Sequence, residues 1–211
     1  MCGRFTMTRS KEDISEWLPI TKWELDLLPN YNTSPGEKVY GAILDQGNFR
    51  AGEIHWDIKP SWSNSLLINA RCETLDKKNT FKKLLHRRMI IFADSFFEWK
   101  KTNEGKIPFR FQLKNEQPFA FPALWDKGNI HSGAIILTTG ANSLVQDVHE
   151  RMPVMFTSKE EIAMWCNPSE YSFNSVQSLL IPIKSSLMKR YQVSSKVNSS
   201  RNKTIECINS I

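Results

Sequence analysis

A cysteine at position two is the most chemically distinctive feature of this 211-residue sequence. Removal of Met1 would leave Cys2 with a free α-amine and a thiol on adjacent carbons. An α-amine with a pKa of about 7.7–8.0 is roughly 10–15% unprotonated at pH 7, whereas a lysine near 10.4 is about 0.04%. The terminal amine is therefore several-hundred-fold richer in nucleophile before any tuning. It can attack an aldehyde to give an imine, on whose carbon the neighbouring thiol can close a five-membered thiazolidine. Position alone favours a second-residue cysteine of no consequence, so the other reactive segments decide the matter.

Three such segments stand out. Asn69-Ala70-Arg71-Cys72-Glu73-Thr74 packs an amide, a guanidinium and a carboxylate into six residues. Capping and a local ion pair are its bland explanation. Phe96-Phe97-Glu98-Trp99 sets one carboxylate in an aromatic strand. Facing inward, Glu98 would be desolvated and become a proton carrier; facing outward, it would be an ordinary surface acid. Alternation does not choose between the faces. His149-Glu150-Arg151-Met152-Pro153 adds a histidine, a residue type more often structural than catalytic. Cys72, Cys166 and Cys207 form no C-x-x-C pair, and His55, His86, His131 and His149 show no zinc-like spacing. No metal site and no cofactor are expected on that basis.

The elements that must position these residues read as short strands with scattered helices. Ser10 and Asp13 form a capping box opening a helix to about Trp17, and Ser158 with Glu161 opens another through Trp165. Strands are expected at Val39–Leu44 and Phe49–Trp56 around the turn Asp45-Gln46-Gly47-Asn48. Further strands fall at Met89–Ala93, Phe96–Lys100, Pro108–Leu113, Phe119–Trp125 and Ala134–Thr139. Thr102-Asn103-Glu104-Gly105 reads as a hairpin turn. Leu75–His86 reads as an amphipathic helix, and Ala141–Val148 as one helix ending near His149. The expected class is α+β, with mainly antiparallel sheets forming a barrel-like core and peripheral helices around a basic cleft. No repeat or long polar linker divides the chain, so residues 1–211 are expected to form one domain, and a monomer.

Lys+Arg 28 against Asp+Glu 22 leaves a formal charge of +6. Lys77, Lys78, Lys82, Lys83, Arg87 and Arg88 concentrate positive charge in one stretch, either a solvated face or a nucleic-acid contact. Charged residues at 24% and hydrophobics at 40% argue against wholesale disorder. No apolar run approaches the ~18 residues of a membrane span, and Met1–Phe5 leads into charged residues without a secretory core. A cytoplasmic protein is expected.

The order of the segments carries more than any one of them. Met1-Cys2-Gly3-Arg4-Phe5, Tyr31-Asn32-Thr33-Ser34-Pro35, Asn69–Thr74 and Phe96–Trp99 are followed by Leu137-Thr138-Thr139-Gly140-Ala141-Asn142, His149–Pro153 and Val193–Asn198. From Cys2 to about Ile208 the chain resembles the SOS-response-associated peptidase family, abasic-site processing proteins that crosslink to single-stranded DNA. The resemblance implies that Cys2 bonds to the ring-opened sugar and that Asn69 holds the sugar and Cys2. It likewise implies that Glu98 assists imine formation and His149 assists ring opening and crosslink reversal. Arg71 and Arg151 would hold the flanking phosphates. Arg4 and Trp56 would line the cleft, Trp56 as a stacking ring. Slow lyase turnover and self-removal of Met1 also come with the family. Asp57 and Ile58 follow Trp56 where the family has glycine and leucine, and Phe97 stands where it has tyrosine.

Two other functions remain open at this point. An N-terminal-nucleophile amidotransferase also begins Met-Cys-Gly and uses the thiol on glutamine. A basic single-strand binding module would bind without any covalent species.

Overall fold

The computed structural model describes residues 2–61, 63, 65–128 and 131–211. Met1 and Asn64, the latter in an expected loop, lie outside the described residues. The strands, in chain order, are β1 (Phe5–Met7), β2 (Ile20–Trp23), β3 (Asn30–Thr33), β4 (Lys38–Asp45), β5 (Asn48–His55), β6 (Asn69–Arg71) and β7 (Arg88–Ala93). They continue with β8 (Ser95–Thr102), β9 (Gly105–Leu113), β10 (Phe119–Asp126), β11 (Gly133–Gly140), β12 (Arg151–Pro153) and β13 (Met188–Gln192). Helices are few and short: α1 (Lys11–Trp17), α2 (Asn79–Lys82), α3 (Lys159–Cys166) and α4 (Phe173–Val176).

Two sheets result, and their pairing is largely antiparallel. One runs β13-β9-β8-β1-β3; the other runs β12-β11-β10-β7-β4-β5-β2 with β6 added against β11. A single parallel bridge, Gly133 to His55, brings β11 back onto β5. The expected barrel-like core is thus a ring of five strands with a minimal closure rather than a true barrel.

Strict alternation explains the layers. Met89, Ile91, Ala93, Phe119, Phe121, Ala123, Ala134 and Ile136 face one cluster. Their neighbours Ile90, Phe92, Ala120, Leu124, Ile135 and Leu137 face the other, with Ile14, Leu18, Ile162 and Trp165 of the helical side. Strands covered on both faces read as continuous apolar runs, as β7 does. The first cluster also contains Phe5, Phe96 and Phe111 of the five-stranded sheet. Cys2 belongs to this inter-sheet layer.

β7 passes into β8 through one residue, Asp94, so the chain changes sheet at that corner. The Asp94 carboxylate accepts hydrogen bonds from the Thr8 amide at 2.7 Å and from the hydroxyls of Thr6 and Thr8. This fastens β1 to the corner from which β8 departs.

Both capping boxes form, at Ser10/Asp13 and Ser158/Glu161. In the hairpin between β4 and β5, Gln46 and Gly47 take φ values of 49° and 79°, the pair of left-handed residues a tight two-residue turn requires. Two expected helices do not form. Between Leu75 and His86 only α2 is helical, preceded by a 3-10 turn at Cys72–Thr74. Leu75 and Phe81 are six residues apart, about 120° around a continuous helix. Both are buried in the same cluster, so the chain must break between them. Over Ala141–Val148 the backbone makes successive turns instead: Asn142 caps them by accepting from the Leu144 and Val145 amides, and four-residue bonds run only from Gln146 to Asn142 and from His149 to Val145. β2, β3 and β13 fall in stretches that carry no alternation signal.

Gly133 is indispensable to the closure. A Cβ there would lie 1.8 Å from the Asp57 carbonyl oxygen, a backbone atom that cannot swing aside. On the same strand, a Cβ at Gly140 would meet nothing within 4 Å. Gly133→Ala is expected to destabilise the fold by about 2–3 kcal/mol and Gly140→Ala by less than about 0.5 kcal/mol, read from urea midpoints.

Candidate functional site

β1 is paired on both edges, to β3 at Phe5/Thr33 and to β8 at Phe5/Phe96, and the Arg4 carbonyl accepts from the Phe97 amide at 2.9 Å. The residues before it are therefore drawn into the inter-sheet layer, and Cys2 is wholly buried. Glu98 lies two residues beyond Phe96 on β8 and shares its face, the one directed at the cluster containing Cys2. It too is buried.

Burial has large electrostatic consequences here. It pushes the Cys2 thiol far above its ordinary value, and the neighbouring Glu98 charge pushes it in the same direction. Burial raises the Glu98 carboxyl as well, with His149 pulling it back. Each group thus holds its proton more firmly than it would in water.

Asn69 arrives from a different direction. β6 adds to β11 in parallel register, with Asn69 opposite Ile136 and Arg71 opposite Thr138. β12 pairs with the same strand, placing Arg151 opposite Gly140. Residues 136, 138 and 140 share one face of β11, so Asn69, Arg71 and Arg151 do too. Asn69 Nδ2 donates to the Cys2 carbonyl at 2.7 Å. Its Oδ1 is buried and makes no hydrogen bond among the described residues, which leaves an acceptor available beside Cys2.

His149 ends the run of turns after β11. Its Nδ1 accepts from the Arg151 amide at 3.0 Å and lies 3.1 Å from the Arg151 carbonyl. The first contact leaves the proton of the neutral ring on Nε2; the second can take up an Nδ1 proton when the ring is charged.

Glu98 and His149 line an open pocket of about 440 Å³ together with Arg4, Trp99, Lys101, Lys106 and Asn198. The Arg4 guanidinium donates to Asn32 Oδ1 at 2.7 Å and the Val197 carbonyl at 2.8 Å, and sits over the Trp99 ring at 5.8 Å. Asn32 Nδ2 in turn donates to the carbonyls of Val197, Ser199 and Asn202. The C-terminal segment is thereby tied down as a wall of the pocket, with Asn198 Oδ1 accepting from the Trp99 indole at 2.7 Å.

Several expectations change. Trp56 is wholly buried, tilted against Phe5 at 4.9 Å, so it presents no stacking shelf. Its indole donates to the Ile68 carbonyl at 3.0 Å, fixing the residue before Asn69. Among the described residues, Trp99 is the aromatic ring that lines the pocket. Arg151 is gripped by both Glu73 oxygens, at 2.6 and 3.0 Å, and by the Thr138 carbonyl at 2.6 Å, whereas Arg71 is exposed. Arg88 is buried against Trp165 and Arg87 pairs with Asp126, so the basic stretch presents its lysines rather than these arginines. Asp57 is buried and bonded to His131, not laid along the pocket. Lys101 and Lys106 were missed by motif reading; their symmetric placement around the Thr102–Gly105 turn was the available signal.

Comparison with known proteins agrees with this architecture. Residues 1–200 match the SOS response associated peptidase (SRAP) family model. The chain belongs to that family. It is 41% identical to the Bacillus subtilis abasic site processing protein YoqW over the full length of both chains. The Escherichia coli abasic site processing protein YedK is 32% identical, covering 78% of this chain and 79% of YedK. A crystal structure of a Bacteroides thetaiotaomicron protein superposes over 100% of both chains with a TM-score of 0.80 at 23% identity.

The raised Glu98 carboxyl has a measurable cost. A carboxyl whose folded value lies above its unfolded one contributes stability below the unfolded pKa and loses it as pH rises through the folded value. Glu98→Gln is therefore expected to be more stable than the parent at pH 8, with the difference shrinking as pH falls through the raised Glu98 value. Urea titrations at several pH values check this.

Proposed function

We propose that this protein captures abasic sites in single-stranded DNA as a covalent DNA–protein crosslink through Cys2, after Met1 is removed by hydrolysis. The observation that carries the reading is a chain of contacts: Asn69 bonds the Cys2 carbonyl, Glu98 acts electrostatically on Cys2 and His149 on Glu98, and Glu98 and His149 line the pocket behind which Cys2 is buried. The similarity to relatives named abasic site processing proteins supports the substrate.

In this reading His149 moves a proton at the sugar ring oxygen, opening the deoxyribose to its aldehyde. The Cys2 amine adds to the carbonyl carbon, and Glu98 delivers a proton to the departing hydroxyl, so that one water leaves and an imine remains. The thiol sulfur then bonds to the imine carbon, and the thiol proton ends on the ring nitrogen. Amine, thiol and aldehyde become thiazolidine plus one water. Asn69 holds the Cys2 carbonyl and offers Oδ1 to a sugar hydroxyl. Arg71, with Lys101 and Lys106, attracts the backbone phosphates, and Trp99 offers a ring to a flanking base. Arg151 binds phosphate only by exchanging Glu73 for it. Slow lyase or reversal turnover and self-cleavage at Met1 would use the same acid/base pair, and a monomer suffices for all of it.

Burial of the thiol favours this order over the amidotransferase alternative. A free cysteine near pKa 8.5 is about 3% thiolate at pH 7, and raising the value lowers that share further. Such a sulfur is a poor first nucleophile. As the second, it is already tethered beside the imine, where effective molarities of roughly 10⁵–10⁸ M compensate.

Processed protein mixed with an abasic-site oligonucleotide is expected to give a heat-stable band on denaturing gels and the corresponding gain in intact mass. Cys2→Ser should leave only an imine that needs reduction to survive. His149→Ala should slow crosslinking about 100-fold with little change in DNA affinity. No mass gain with the processed protein refutes the proposal; lesion-independent binding that survives Cys2→Ala would identify a binding module instead, and glutamine hydrolysis an amidotransferase.

A further inference from the structure

The ring's closing seam holds a second group of reactive side chains, none of which lines the pocket around Glu98 and His149. His55 ends β5, Asp57 lies two residues on, and His131 precedes β11; their ligand atoms all lie within 4.8 Å of one another. We propose that His55, Asp57 and His131 bind a divalent transition-metal ion of the zinc type, which clips β11 onto β5.

Donor chemistry comes first. Two imidazoles and one carboxylate form a ligand set suited to zinc and its neighbours, and three protein ligands leave a position for water. The geometry is close to what an ion needs. Tetrahedral ligands at 2.0–2.1 Å from zinc sit about 3.4 Å apart, so a separation of at most 4.8 Å closes by side-chain rotation alone.

The backbone already holds the three groups together. His55 and Gly133 are bridge partners, and the His55 amide donates to the Ser132 carbonyl at 3.3 Å. His55 and Asp57 flank Trp56, whose burial in the core turns both of its neighbours to the opposite side. The supporting shell is present as well. His55 Nδ1 lies 3.4 Å from the Gly36 carbonyl, a contact that holds a proton on Nδ1 and leaves the Nε2 lone pair for an ion.

Charge supplies the third argument. Asp57 is only 2% exposed, and a buried carboxylate needs a compensating positive charge. His131 Nε2 lies 2.9 Å from Asp57 Oδ1. The His55 and His131 rings stand 4.1 Å apart, so both imidazoles and the carboxylate border one small volume. A dication held among the three satisfies the carboxylate while both imidazoles serve as ligands. It takes the place of the proton between His131 Nε2 and Asp57, and neutral His131 then adopts its Nδ1–H tautomer. The His131 side chain is 30% exposed, which gives the ion a way in. Local motif spacing could not show this site, because one ligand lies 74 residues from the next.

The test uses the full-length Cys2→Ser protein, so that the terminal aminothiol cannot chelate metal. After chelator dialysis, Zn²⁺ is added and unbound ion removed by gel filtration. About one equivalent is expected to remain, with a melting temperature raised by about 5 °C at saturating ion. His55→Gln and His131→Gln should each weaken binding at least tenfold by calorimetry. Substitution with Co²⁺ identifies the ligands without altering the site: ligand-field bands free of thiolate charge transfer support the proposal. Retention of less than about a tenth of an equivalent, binding unchanged in both histidine variants, or a thiolate charge-transfer band overturns it.

Discussion

Everything at the pocket depends on the chain's first residues being held as part of a sheet interior. β1 is three residues long, yet it is paired on both edges and fastened through Thr6 and Thr8 to the Asp94 corner. Chain ends are ordinarily the least ordered part of a domain, because little ties them down. Here that freedom is removed, and Cys2 sits in the layer between the sheets, beside a buried carboxylate and an asparagine donor. An amine and thiol at a frayed terminus would have the same intrinsic chemistry. They would lack the fixed proton carriers that the proposed attack at a carbonyl calls for.

The same burial sets two demands against each other. Sulfur and carboxyl both gain when protonated in this layer, which favours Glu98 as a proton carrier and disfavours the thiol as an attacking group. A site built around an initial thiol attack would lower that pKa with a nearby cation or helix N-terminus. Glu98 does the reverse, adding negative potential beside the sulfur. The electrostatics therefore suit a chemistry in which nitrogen acts first and sulfur follows within the same residue.

How far the sequence disclosed this structure depends on the scale of the signal. Short aromatic and β-branched runs and their turns located β4, β5 and β7 to β11, and short polar codes located both helix caps, because those features are decided within a few residues. The helix read at Leu75–His86 failed because an apolar pattern reports which residues seek the core, not whether one continuous helix can bring them all there. Leu75 and Phe81 show the failure, since reaching one cluster requires the break. Glu98 could not be oriented from alternation because both faces of its strand are covered, with Phe96 in one cluster and Phe97 in another. Trp56 was misjudged because residue type says nothing of depth; its ring supports the Asn69 strand instead of meeting solvent.

Motif order, by contrast, picked out residues that only the topology brings together. Cys2, Asn69, Glu98 and His149 come from β1's leading segment, β6, β8 and the turns after β11, which no local spacing rule connects. β11 is the common organiser. It pairs with β10 and β5 along its first half and with β6 and β12 along its second, so Asn69, Arg71 and Arg151 inherit their positions from its register. Gly133 starts that strand against the Asp57 backbone, and Trp56, next to Asp57, holds Ile68 at the head of β6. A disturbance at the seam therefore has a short covalent and hydrogen-bonded route to the amide that holds Cys2: from Asp57 through Trp56 and Ile68 to Asn69. The ring closure and the pocket are two ends of one mechanical unit, which is why a one-bridge closure suffices when a glycine and three polar side chains reinforce it.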